Sequence, residues 1–146
     1  MAEQPITIEI ARVFDASRER VWREWTEPER FADWFGGPAD VPLSTVVMDV
    51  RPGGRWRLTM QPAGRRSEIF WRGEYLEVHE PERLVFTVTD RPDEVYAVVT
   101  VVLRDLGDGR TEMLFEQHGP LPPETARRAR EGWSSFFDRI AERLAV

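Results

Sequence analysis

Near the start of the chain Ile6, Ile8 and Ile10 alternate with Thr7 and Glu9, the period of two that marks a strand with one buried face. This strand is expected over Ile6 to Phe14. The period then changes. Val21, Trp22 and Trp25 share one side of a short helix that begins after Ser17, whose hydroxyl suits an N-cap. A second short helix is expected in TEPERFADWFGG, Thr26 to Gly37. Thr26 and Glu29 have the spacing of a capping box, and Pro28 sits in the first turn. Phe31, Trp34 and Phe35 stand at i, i+3 and i+4, on one face. Gly36 and Gly37 end the helix, and Pro38 prevents a restart.

From Ser44 onward the pattern is that of strands separated by turn residues. STVVMDV leads through RPGG to RWRLTM, where Trp56, Leu58 and Met60 take one face and Arg55, Arg57 and Thr59 the other. The loop QPAGRRS precedes EIFWRGEYLEV, where both Phe70 and Trp71 are large and the faces around Trp71, Gly73 and Tyr75 stay ambiguous, with a bulge as one solution. LVFTVTD, VYAVVTVVLRDL and RTEMLFEQH follow, divided by turns at RPDE and GDG. Phe86 and Val88 are expected to face inward, as are Tyr96, Val98 and Thr100, and then Met113, Phe115 and Gln117. GPLPP breaks the pattern, and a long helix follows with Ala129, Trp133, Phe136, Phe137, Ile140 and Leu144 along one stripe. Gly132 interrupts this helix. A glycine there costs about 1 kcal/mol against alanine, so a close approach to another element is the expected reason for it.

The order is strand, two short helices, a run of antiparallel strands, one long helix, which is an α+β arrangement. One helix, about 10 Å wide, cannot cover a sheet of about seven strands. The sheet must curl around it or leave a gap beside it, and the aromatic face of the second short helix would look into that gap.

Composition narrows the function. The 146 residues suggest one domain over 1–146, with enough chain to bury a core. There are no cysteines, which excludes disulfides, thiolate catalysis and cysteine-bound zinc. The start MAEQPITIEI has neither the basic start nor the long apolar run of a signal peptide, no stretch has the length of a membrane span, and a cytoplasmic address is expected. All 20 basic residues are arginines, which reads as genome composition rather than mechanism. The net charge of −6 and the lack of a basic run argue against nucleic-acid binding. His79 and His118 have no metal-ligand spacing with another donor, so no metal or cofactor is expected. No nucleophile elbow, phosphate loop or dinucleotide fingerprint occurs. Arg72, Glu74, Tyr96, Glu116 and His118 are the polar groups that strands might aim inward. For Arg72 and Glu74 a solvated outer face is the favoured reading. An exposed edge strand would suit a homodimer, but nothing in the sequence fixes one.

The motifs RVFDAS, VWREWTEPERFADWFGG, MDVRPGGRWRLTM, RGEYLEVHEPERLVFTVTD and the GW of the last helix occur in this order. Together they resemble the activator-of-heat-shock-ATPase homologue family of the START-like, or SRPBCC, superfamily. The resemblance implies a helix-grip fold, like that of the birch pollen allergen: a curved antiparallel sheet wrapped on a long C-terminal helix. It also implies a hydrophobic small molecule, such as a lipid, held between sheet and helix. The residues expected to line that site are Phe31, Trp34 and Phe35 from the short helix, and Trp56, Leu58, Tyr75 and Phe86 from the middle strands. Tyr96, Val98 and Phe115 would follow from the later strands, with Trp133, Phe136 and Phe137 opposite. An enzyme in the same cavity, of cyclase, aromatase or hydratase type, is the alternative, and a chaperone-associated interaction protein a third. The eukaryotic co-chaperones of the family carry a separate amino-terminal domain for which this chain has no room.

Overall fold

The computed structural model describes residues 4–145 except 63, 65, 66 and 94. Strand β1, Gln4–Phe14, is followed by helices α1, Arg18–Thr26, and α2, Pro28–Trp34. Six strands come next: β2 Val47–Met48, β3 Arg55–Met60, β4 Ile69–His79, β5 Arg83–Val88, β6 Ala97–Gly107 and β7 Arg110–Leu121. Helix α3, Pro123–Leu144, ends the fold. The seven strands form one antiparallel sheet in the order β1-β7-β6-β5-β4-β3-β2, so the first strand closes onto the last. The curved sheet, the long helix across its inner face and the two short helices at one end make this an α+β helix-grip fold.

Several local expectations need correction. Ser17 does cap α1, accepting from the Arg20 amide at 3.3 Å. The capping box at Thr26 does not form. Thr26 is the last residue of α1, and its hydroxyl donates to the Trp22 carbonyl at 3.0 Å. Glu27 therefore becomes the boundary residue of α2, with no side-chain cap, and its carboxylate instead accepts from Arg30 Nε at 2.7 Å. STVVMDV contributes only the two residues of β2, because a 3₁₀ turn takes up Leu43–Thr45. GPL does not break the sheet: β7 continues through Gly119, Pro120 and Leu121, paired with Ile6, Pro5 and Gln4. Part of the QPAGRRS loop and of the RPDE turn lies outside the described residues.

The faces of β4 are settled by one close approach. Trp71, Gly73 and Tyr75 point inward, Phe70 is 58% exposed, and the register shifts between Tyr75 and Glu77. The Trp56 indole donates to the Thr87 carbonyl at 3.0 Å beneath Gly73. A Cβ at Gly73 would lie 1.7 Å from that carbonyl oxygen, so no other residue fits there. In β6 the inward set is Ala97, Val99, Val101 and Leu103, each 8% exposed or less. Tyr96, Val98 and Thr100 therefore face outward, opposite to the expectation, and Tyr96 is 37% exposed.

Helix α3 is fixed at both sides by arginines. Arg12 of β1 donates to the Ser134 carbonyl and pairs with Asp138, while Arg130 donates to the Glu9 carbonyl. On the other side Arg139 donates to the Asp33 carbonyl, and Arg143 reaches Glu24 of α1 and Asp33 of α2. The helix is thereby held against the edge strand and the two short helices alike.

Candidate functional site

The interior divides into a filled half and an open half. The filled half is aromatic. Trp25 lies at its centre, with the rings of Phe31, Trp34, Phe86, Phe115, Trp133 and Phe137 all within 6.4 Å. Edge and tilted contacts of this kind add to the burial of the rings themselves. The gap among Trp25, Phe31, Met48, Trp56, Tyr75 and Phe86 has no volume for a water. Burial pushes the Tyr75 phenol up, and the charge of Asp49 acts in the same direction, so Tyr75 stays a neutral packing group.

Among the described residues one carboxylate is buried, and it stands beside this aromatic block. Glu24 is 1% exposed, between Val21 and Trp25 on the inward side of α1. Arg143 Nε donates to it at 2.6 Å and Arg30 Nη1 at 3.4 Å, and the Trp34 indole donates to the Glu24 carbonyl at 2.8 Å. The bond to Glu24 is the main cause that raises the Arg143 pKa. The Val21, Glu24, Trp25 spacing was the available signal for a buried Glu24. Its partner, 119 positions away, had no signal.

The open half lies under the first turns of α3. A cavity of about 340 Å³ is bounded by Phe35, Met60 and Trp71, by Val88, Thr89 and Val95, by Ala97 and Gln117, and by the α3 residues Thr125, Arg128, Ala129, Gly132, Trp133 and Phe136. Asp90 and Arg91 also stand on its boundary, and Pro120 and Leu121 close the strand end. The volume falls in the range of small-molecule sites, roughly 300–1,000 Å³. A larger trough of about 790 Å³ runs over the outer sheet face, but Arg55, Arg57 and Tyr96 along it are exposed and no second layer encloses it.

Gly132 has a different role from the one expected. A Cβ built on it meets nothing within 4 Å, so no neighbouring element demands a glycine. It stands on the cavity boundary, where a side chain would take up space. Few polar side chains reach the interior. Thr89 is satisfied: its hydroxyl donates to the Val95 carbonyl at 2.8 Å and accepts from the Arg91 amide at 3.0 Å. Arg91 is engaged with Asp93. Gln117 Oε1 accepts from the Trp133 indole at 2.7 Å.

Of the residues nominated from sequence, Phe35, Trp133 and Phe136 line this cavity. Phe31, Trp34, Trp56, Leu58, Tyr75, Phe86, Phe115 and Phe137 are buried in the packed half and do not line it. Tyr96 and Val98 are on the far side of the sheet, because the inward phase of β6 belongs to its wholly apolar set. Gln117, expected to face inward, lines it too, as do Trp71 and Gly132, which the sequence marked without assigning them to a site, and Thr125 and Arg128, which it did not single out. Glu116 and His118 are exposed on β7, with His118 Nδ1 at 2.8 Å from the Thr7 hydroxyl, and His79 is exposed beside Glu77. Among the described residues no three His, Asp or Glu side chains converge as a metal site would need. Among those residues no helix is long and apolar enough to cross a membrane.

A curved sheet closed on a long helix, with a cavity between them, defines a helix-grip protein of the SRPBCC type, a fold that typically binds ligands. The chain belongs to the family described as Activator of Hsp90 ATPase homolog 1-like protein, whose model matches residues 15–145. Solved structures agree. A protein from Chromobacterium violaceum superposes with a TM-score of 0.81 at 24% identity, over 94% of this chain and 96% of that one. One from Nitrosomonas europaea gives 0.77 at 25% identity, over 94% and 92%. An Hsp90 activator from Plasmodium falciparum gives 0.75 at 20% identity, over 96% of each chain. At these identities the likeness speaks for the fold. No curated protein matches the chain.

Proposed function

We propose that this protein binds a small, mostly apolar molecule in the cavity beneath the first half of α3. The observation that carries this reading is Gly132. A mid-helix glycine costs about 1 kcal/mol against alanine, and here a methyl group would meet no obstacle. What a side chain would remove is room in the cavity. Four aromatic residues, Phe35, Trp71, Trp133 and Phe136, supply the flat apolar surface such a ligand needs. No observation favours a reaction in this space. Of the polar groups that the sequence offered, Glu116, His118 and Tyr96 are exposed, and Arg72 and Glu74 stand along the outer trough and not in this cavity.

The test is Gly132→Leu, with N-phenyl-1-naphthylamine fluorescence as the binding readout and a thermal melt as control. The expected result is at least tenfold weaker binding with the melting temperature unchanged or raised, since the new side chain fills space and improves helix propensity. Unchanged binding of the probe would remove the cavity as its site. A melt lowered by several degrees would mean that the space is not open.

A further inference from the structure

The hydrogen-bonding capacity left over inside the cavity is of one kind. Gln117 is 8% exposed and lines the space. An indole N–H can only donate, so the Trp133 bond at 2.7 Å fixes the amide oxygen of Gln117 toward Trp133. The amide NH₂ is left without a partner among the described residues. The Trp71 indole nitrogen, three strands away in the lining, is buried and has no acceptor, like the Trp25 indole nitrogen in the packed half. Among the described residues no buried side-chain acceptor of the lining is left over to match them, because Thr89 is satisfied and Asp90 is exposed at the rim. The Gln117 NH₂ faces the cavity space, where a ligand acceptor can reach it, whereas a fully buried donor such as the Trp71 N–H costs about 1–3 kcal/mol until something accepts from it.

We infer that the ligand carries a carbonyl oxygen on its apolar body, held by the Gln117 amide NH₂. This rests on the ligand-binding reading above and adds the chemical class. The carbonyl oxygen can belong to a neutral ketone or to a carboxylate. Arg128 lines the mouth and has no ion-pair partner among the described residues, which suits a carboxylate, whereas Asp90 at the same rim opposes one.

The experiment compares two probes of similar shape, 2-acetylnaphthalene and 2-ethylnaphthalene, by tryptophan fluorescence in the wild type, Gln117→Met and Trp71→Phe. The ratio of their affinities is the readout, because the different cost of taking each from water cancels between variants. The ratio is expected to fall at least fivefold in favour of the hydrocarbon in Gln117→Met, and to stay within about twofold in Trp71→Phe, which keeps the ring and removes an N–H three strands away. A ratio unchanged in Gln117→Met overturns the inference while leaving the cavity as a binding site. If neither probe binds the wild type, the ligand-binding reading fails and this inference with it. Should Gln117→Met not fold, Gln117→Glu, which keeps an oxygen toward the Trp133 indole and removes the NH₂, decides alone. A third probe, 2-naphthoate, separates the sources. Binding tighter than the ketone and lost in Arg128→Ala assigns a carboxylate, and weaker binding assigns a neutral carbonyl.

Discussion

Replacing Trp34 by alanine lowers stability by about 3–5 kcal/mol, the range for large aromatic truncations in a core that cannot collapse. Trp34 is fully buried, in contact with Trp25 at 4.8 Å and Phe31 at 5.0 Å between ring centroids. The substitution also leaves the Glu24 carbonyl without its indole donor. For a chain of this size the loss corresponds to a melting temperature lower by about 10 °C or more. The measurement is a denaturant or thermal melt. This outcome separates two readings of TEPERFADWFGG. If Trp34 were a lid over a ligand, its removal would change affinity and spare stability. In a filled aromatic core it removes stability first. A variant that melts like the wild type would contradict the packed interior described above.

The second large effect is at the buried carboxylate. Arg143→Met keeps an aliphatic stem of similar length but removes the charge, leaving Glu24 with Arg30 alone at 3.4 Å. Breaking a buried pair on one side typically costs about 3–5 kcal/mol, because the surviving charge stays desolvated. The loss of the contacts from Arg143 to Asp33 is a smaller part, since Asp33 is exposed. Adding Glu24→Gln to the same chain removes the stranded charge and should return part of the stability. The check is a double-mutant cycle by chemical denaturation. Additive losses in the cycle would mean that the pair is not coupled, and that α3 is held by its apolar stripe alone.

Which features were legible in the sequence follows from how local their causes are. The strands of alternating pattern, the two short helices and the α3 stripe were readable, since each is written within about ten residues. The motif order carried the fold. The phase of β6 was not readable from period alone, because Tyr96 to Leu103 is nearly all apolar on both sides. The all-apolar set of Ala97, Val99, Val101 and Leu103 was the better choice for the inside, and Thr100 the clue. The aromatic cluster was readable as a set but not as filled or hollow. That distinction depends on how Phe31 stacks on Phe35 at 4.8 Å and how both α2 and α3 close on Trp25. Gly132 was visible as an anomaly. Its reason, empty space rather than a close neighbour, needed the three-dimensional arrangement.

The proposed binding site lies beneath the first half of α3 and not among the packed aromatics. The chain has six tryptophans, and each indole N–H gives its own resonance in a nitrogen–proton NMR spectrum. Two of them, Trp71 and Trp133, line the cavity, whereas Trp25 and Trp34 are in the filled half. Titration with N-phenyl-1-naphthylamine should move the Trp71 and Trp133 signals in a saturable way and leave those of Trp25 and Trp34 nearly in place. Saturable shifts at Trp25 and Trp34, with Trp71 and Trp133 unmoved, would contradict the account.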